Sequence, residues 1–238
     1  VTLPAPDALF AALEGTWPAL SHKSVAGWTI RDGAGGGKRV SAATTADEGA
    51  SIAKAESAMR ALSQAPLFML RADQSVLHDR LAACGYRCVD PSVIYAAPVA
   101  AIAQEPPAIS LYPVWPPLAI MRSIWADGGI GPARAQVMAR VRGPKAGLIA
   151  RSQDRAAGAA FCAVHGDIAM VHAVEVSPAL RRKGVARNIV QGAAFWAQAQ
   201  GAHWLALAVT EANQPARALY DALGMQVVAQ YSYRQKGD

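Results

Sequence analysis

The sequence predicts an α/β protein in which a central mixed β-sheet is flanked by helices. Short apolar or β-branched runs such as Val171–Val176 and Trp204–Val209 alternate with amphipathic runs at helical spacing, for example Ile52, Ala55, Met59 and Leu62. One stretch, Val174 to Asn188, passes from strand through turn and basic loop into helix, the signature of a β–α unit. With 238 residues, 53% hydrophobic and 17% charged, the chain has ample material for a core and room for one large or two small domains.

In chain order, Asp7–Leu13 reads as a short helix broken by Gly15-Thr-Trp-Pro. Val25–Arg31 and Arg39–Thr44 read as strands around the glycine run Asp32-Gly-Ala-Gly-Gly-Gly-Lys38. That run invites a phosphate-loop reading, but it lacks the Lys-Ser/Thr of a P-loop and no helix is expected after it, so a flexible hairpin turn is the reading adopted. Ala46–Ser63 is expected to be helical, Leu67–Leu70 a short buried strand, and Gln74–Cys84 a helix ended by Gly85. Tyr86–Val89 and Val93–Ala97 follow as strands about Asp90-Pro91. The proline-dense Ala101–Pro117 disfavours helix and reads as a stiff connector or edge strand, which places a domain boundary between 1–105 and 106–238. Beyond it come helices at Leu118–Asp127 and Ala133–Val141, strands at Leu148–Arg151 and Ala156–Val164, and a hairpin turn at His165-Gly-Asp167.

The Val174–Asn188 stretch is built to hold an anion. Ser177-Pro178 ends the strand, since proline cannot donate to a ladder. Arg181, Arg182, Lys183 and Arg187 supply charge, and Gly184 and Ala186 let a ligand approach the backbone. The helix opening at Val185 points unpaired N–H groups and its positive dipole end at the strand tip.

The R-x-x-G-x-A of Arg181–Ala186, after a strand ending V-x-V-S-P, resembles the acyl-CoA-binding signature of the GNAT N-acetyltransferases. The downstream N-x-x-A-x-x-L-Y-x-x-x-G-F/M pattern of that family is matched by Asn213, Ala216, Leu219, Tyr220, Gly224 and Met225. The resemblance covers roughly 149–234 and fades upstream. It implies a GNAT-like fold with a splayed parallel strand pair, and acetyl-CoA as co-substrate without a metal. By that resemblance Val174 and Val176 line the pantetheine arm, while Arg181, Arg182, Lys183, Gly184, Val185 and Ala186 take the pyrophosphate. Asn213 and Ala216 sit beside the arm, and Tyr220 lies near the sulfur as the acid for the leaving thiolate. For the base that takes the amine proton, the candidates are Glu175, a carboxylate on an otherwise apolar strand, and His172. Strand alternation puts these two on opposite faces unless a bulge intervenes.

Arg80–Val89 set against Leu219–Val228 aligns Gly85 with Gly224 and Tyr86 with Met225. Either the N-terminal half is a shortened, degenerate GNAT-like unit, or two helix-to-strand turns match by chance. That half has no R-x-x-G-x-A counterpart and is expected to wall the acceptor pocket without binding CoA.

No apolar run approaches the ~20 residues that span a bilayer, and the start, Val-Thr-Leu-Pro, lacks a secretory pattern. With three cysteines, Cys84 and Cys88 near His78 fall short of a metal set, and buried, reduced thiols of a cytoplasmic protein are expected. A net charge of +6 suits an anionic partner such as coenzyme A; nucleic acid is disfavoured because the basic residues outside 181–187 are scattered. The expected function is acetyl transfer from acetyl-CoA to a primary amine of a small molecule or a peptide N-terminus, by direct attack. A non-catalytic acyl-CoA sensor or regulatory module is the alternative, and a homodimer stays open.

Overall fold

A computed structural model describes residues 2–236; Val1, Gly237 and Asp238, including the first residue of the Val-Thr-Leu-Pro start, lie outside the described residues. The elements of the first half are α1 (Pro6–Thr16), β1 (Ser21–Val25), β2 (Trp28–Asp32), α2 (Lys38–Ser41), α3 (Ile52–Arg60), β3 (Leu67–Arg71), α4 (Ser75–Ala83) and β4 (Tyr86–Pro98). Then come α5 (Val99–Ile102), β5 (Leu111–Val114), α6 (Ala119–Asp127), α7 (Pro132–Arg140), β6 (Lys145–Ser152), β7 (Arg155–His165), β8 (Ile168–Val176), α8 (Val185–Ala199), β9 (Trp204–Thr210), α9 (Gln214–Asp221) and β10 (Gln226–Lys236). Eight of these strands form one mixed sheet in the order β3-β10-β4-β9-β8-β7-β6-β5, and β1-β2 form a separate hairpin. The β8–β9 pair is parallel; its neighbours on either side are antiparallel.

The centre of the sheet is an exchange between the two halves. The units β3–α4–β4 and β9–α9–β10 have the same strand–helix–strand order, and each leaves a gap between its strands that the other fills. β10 lies between β3 and β4, and β4 lies between β9 and β10. The shift that carries Gly85 onto Gly224 also carries the pairing Ser92↔Thr210 onto Tyr231↔Arg71, and Val93↔Val209 onto Ser232↔Leu70. The β4–β10 ladder maps onto itself under the same shift, with Gln226↔Ala96 becoming Gln235↔Arg87. This register identity carries the internal repeat well past the two turns that suggest it in the sequence. The boundary between residues 105 and 106 falls between α5 and β5, while the sheet runs across both halves through β4 and β10.

Apolar residues on alternate positions of the strands feed clusters on the two faces. On one face α8 buries Val185, Ile189, Val190, Ala193 and Ala197 against Val171, Leu205, Leu207 and Tyr95. On the other, α1 brings Leu9, Phe10 and Leu13 onto Ile94, Met170 and Ala206, while α6 and α7 cover Phe161 with Trp125 and Val137. A further cluster, with Trp28, Phe68, Leu77 and Leu81, lies under α3 and α4.

Several local expectations change. Residues 39–44 are not a strand: Gly37, at φ 98°, turns the chain directly into α2, which buries Val40, and only Ala43 and Thr44 keep bridge pairing. The glycine run is therefore followed by a helix after all, a four-residue one. The helix expected from Ala46 starts at Ile52, because Asp47 Oδ1 holds the Gly49 N–H at 2.8 Å in a turn and Ser51 caps Lys54. The strands about Asp90-Pro91 are one strand, β4, interrupted by a register shift with Asp90 at φ 48°. The proline-rich connector contributes the edge strand β5. Cys84 and Cys88 are exposed rather than buried, and only Cys162 is enclosed. Among the described residues no group of three or more His, Cys, Asp or Glu side chains is arranged to hold a metal. No helix is long and apolar enough to cross a membrane.

Candidate active site

The parallel pair β8–β9 is joined only at its start, from Ile168↔Trp204 to Val171↔Leu207. Beyond that point the strands part, and His172–Val176 of β8 face a wedge whose other side is Ala208–Thr210 of β9. The divergence coincides with a bulge. Ala159 of β7 pairs with Glu175 and Phe161 with His172, so two steps on β7 are matched by three on β8, and Ala173 takes φ 51°. The extra residue puts His172 and Glu175 on the same face of the sheet, the condition under which both can serve one pocket. Val174 and Val176 pack instead toward α8.

At the end of β8 the chain runs through Pro178–Leu180 into the basic loop, with Arg182 at φ 62° and Gly184 at φ 78°. Gly184 is the N-cap of α8 and has no side chain to offer it, so the N–H groups of Val185, Ala186 and Arg187 have no partner among the described residues. The first intrahelical bond from this end is Asn188 N–H to Gly184 O, at 2.9 Å. A cleft of about 490 Å³ lies over this helix end, lined by Val176, Arg181, Arg182, Gly184, Val185, Ala186 and Arg187 on one side and Pro215, Ala218 and Leu219 on the other. Free N–H groups, a helix dipole and arginines around one cleft fit a pyrophosphate. Lys183 turns aside, donating to Gln153 Oε1 at 3.0 Å. Arg181 folds back, giving Nε to Val176 O and Nη2 to Glu175 Oε1, each at 3.1 Å.

Glu175 is partly enclosed, its side chain 19% exposed. Its carboxylate lies against Gly128 at the end of α6, where a Cβ would stand 2.5 Å from Cδ and 2.6 Å from Cγ; the glycine leaves that space open. His172 is buried. Its Nε2 meets Thr16 Oγ1 at 2.8 Å and its Nδ1 meets Arg39 Nη1 at 3.2 Å. Because the Thr16 hydroxyl is committed to Ala12 O and a guanidinium can only donate, the ring is the Nε2–H tautomer with its Nδ1 lone pair engaged. Burial, and then the Arg39 charge, hold its pKa well below the usual imidazole value.

Tyr220, on α9, is buried with its ring edge-on to Tyr95 at 5.5 Å. Burial, and next Tyr95, push its hydroxyl up to about 12, so it keeps its proton at neutral pH. Asn213 caps α9, its Oδ1 accepting from Ala216 N–H at 3.3 Å. The structure thus brings Val176, Arg181, Arg182, Gly184, Val185 and Ala186 together around one cleft, with Lys183 turned away from it, and His172, Val174 and Glu175 to the opened part of β8. Asn213, Ala216 and Tyr220 come from the helix that forms the far wall.

A second cavity, of about 460 Å³, opens at the wedge from the other side. His172 and Ala173 of β8, Ala208–Thr210 of β9 and Tyr231 and Tyr233 of β10 line it, with Gly36–Arg39 from the first half and Arg134 from α7. Arg39 and Arg134 carry no signal in the local sequence pattern. Arg39 reaches His172 across 133 positions of the chain, and its only local mark is its place just past the glycine run.

No curated protein sequence matches the chain. Residues 119–225 match the model of the acetyltransferase (GNAT) family. Among solved structures, a GCN5-related N-acetyltransferase from Kribbella flavida superposes with a TM-score of 0.71 at 17% identity, covering 100% of this chain and 97% of that one. A conserved protein of unknown function from Staphylococcus epidermidis gives 0.68 at 8% identity, over 92% and 94% of the two chains. A tandem GNAT protein from the clavulanic acid biosynthesis pathway gives 0.60 at 14% identity, over 87% and 76%. At these identities the likeness is one of fold. Residues 119–225, which include the basic loop Arg181–Ala186, are thus similar to the acetyltransferase (GNAT) family.

Proposed function

We propose that the protein transfers an acetyl group from acetyl-CoA to a primary amine of a small molecule or peptide N-terminus by direct attack, as a cytoplasmic enzyme. The observation that carries this is the parted β8–β9 pair, flanked by an uncapped helix start and a cleft lined with arginines. In this reading Arg182, Arg187 and the free N–H groups at Val185 and Ala186 hold the pyrophosphate, and the backbone of Val174 and Val176 holds the pantetheine arm. Glu175 accepts the proton of the amine, directly or through water. Tyr220 donates its proton to the departing sulfur, a role supported by a hydroxyl that stays protonated at neutral pH. His172, with its lone pair already engaged by Arg39, is a positioning residue that fixes Arg39 and the bulge.

In this assignment, residues 106–238 form the catalytic unit and 1–105 the degenerate one. The β2–α3–β3 segment occupies the place that β8–α8–β9 has in the second unit, but its wedge is filled by its own chain. Ala43 N–H donates to Leu67 O at 2.8 Å, Met69 N–H to Ala43 O at 3.0 Å, and Thr29 N–H to Thr44 O at 2.8 Å. This supports one CoA site per chain. Purified protein screened against amines and peptide N-termini with acetyl-CoA, reading thiol release, tests the proposal; CoA binding without release from any acceptor would favour the alternative, an acyl-CoA sensor. That alternative draws on Arg181, which already ties up one oxygen of Glu175.

A further inference from the structure

The cavity on the acceptor side of the wedge holds more positive charge than the protein itself neutralises. Its one carboxylate, Asp90, is paired with Lys38 at 2.6 Å. Arg39 and Arg134 also line it, and neither forms an ion pair among the described residues. Arg39 is half-buried: its Nε is buried without a hydrogen-bond partner among the described residues, Nη1 lies on the neutral His172, and the phenols of Tyr231 and Tyr233 stand beside it. The Arg134 guanidinium lies over the backbone of Gly37, where a Cβ would meet its Nε at 3.4 Å. Burying a guanidinium without a counter-charge is costly, and such a cation is retained where a ligand supplies the charge. Planar guanidinium groups also match the two-oxygen geometry of carboxylate and phosphoryl groups.

We infer that the acceptor is a small primary amine bearing an anionic group, held by Arg39 and Arg134 so that its amine lies at the parted end of β8. The volume, about 460 Å³, suits a metabolite-sized molecule rather than a protein surface. Lys38 and Asp90 close the rim as a pair, each about half exposed. The assignment rests on the acyl-transfer reading and adds to it the charge of the acceptor.

The test uses the full chain with acetyl-CoA and a set of amino acids and dipeptides, their carboxamides, and aminoalkyl phosphonates of matched length, with thiol release as readout. Acids or phosphonates should exceed their neutral carboxamides at least tenfold in kcat/KM, and the better of the two anionic arms identifies the group. Arg134→Met should bring that ratio to within threefold of unity while leaving the CoA-induced rise in Tm intact; Arg39→Met should do the same if it folds. Carboxamides turned over as well as acids, or a preference untouched by Arg134→Met, would overturn the inference. If CoA raises Tm but nothing in the set turns over, the same compounds titrated against the CoA-loaded protein decide the matter. Stabilisation by the anionic members alone supports the inference, and equal or absent stabilisation overturns it. Absence of any CoA effect would instead sink the acyl-transfer reading.

Discussion

Gly128→Ala should silence the enzyme with little loss of stability. Gly128 has φ −85° at the end of α6, so alanine meets no backbone strain there. Its Cβ, however, would stand 2.5 and 2.6 Å from Cδ and Cγ of Glu175, about 1 Å inside the separation carbon atoms prefer. The obstacle is the end of a flexible side chain, so Glu175 rotates away. An off-rotamer χ angle costs about 0.5–1.5 kcal/mol, and the partly exposed pair with Arg181 is worth at most about 1 kcal/mol. The total should stay under about 2.5 kcal/mol. Loss of a placed general base, by contrast, typically lowers the rate by about 10²–10⁴. Thiol release at saturating acetyl-CoA should therefore fall by about that factor, with Tm lowered by a few degrees and the CoA-induced shift preserved; Glu175→Gln should match it. A folded Gly128→Ala variant with kcat within threefold of wild type would refute the placement of Glu175 as the base.

Other outcomes follow from the same geometry. Tyr220→Phe keeps the ring against Tyr95 and removes the proton, so CoA affinity should hold while kcat falls by about 10²–10⁴; a loss under threefold would assign the proton to another group. His172 is neutral in the fold and takes up a proton near pH 6.5 when unfolded. Its contribution to stability is thus complete above about 6.5 and is lost as pH falls from there toward its depressed folded value. Urea unfolding between pH 7.5 and 5 should show this fall, and His172→Gln should flatten it; an unchanged slope would show that other groups cause it. A chain beginning at Ile109 should not fold, because removing β4 leaves β9 and β10 without the strand between them. A soluble, cooperatively unfolding product of that truncation would contradict the exchange.

What the sequence discloses is what local chemistry encodes. The basic loop is legible because Arg181–Ala186 sets charge and small residues between a strand and a helix; that Gly184 takes φ 78° there is seen only in the structure. The repeat is glimpsed through Gly85 and Gly224, both left-handed residues where a helix turns into a strand. The exchange of β4 and β10 is not legible, since apolar alternation says which face a strand buries and not which strand it pairs with. The bulge is hidden because Ala173, at φ 51°, is a residue type that gives no hint of left-handed backbone. Arg39 is hidden by distance: it lines a cavity assembled from both halves of the chain.

Titration of the purified chain with CoA by calorimetry, alongside Gly184→Asp, tests the central claim most directly. The substitution puts a β-carbon and a negative charge on a φ of 78° at the mouth of the cleft, beside the free N–H groups of α8. One CoA per chain is predicted for the wild type, with binding lost in the variant. Two CoA per chain, no binding, or equal binding by Gly184→Asp would contradict a single acyl-CoA site between β8 and β9.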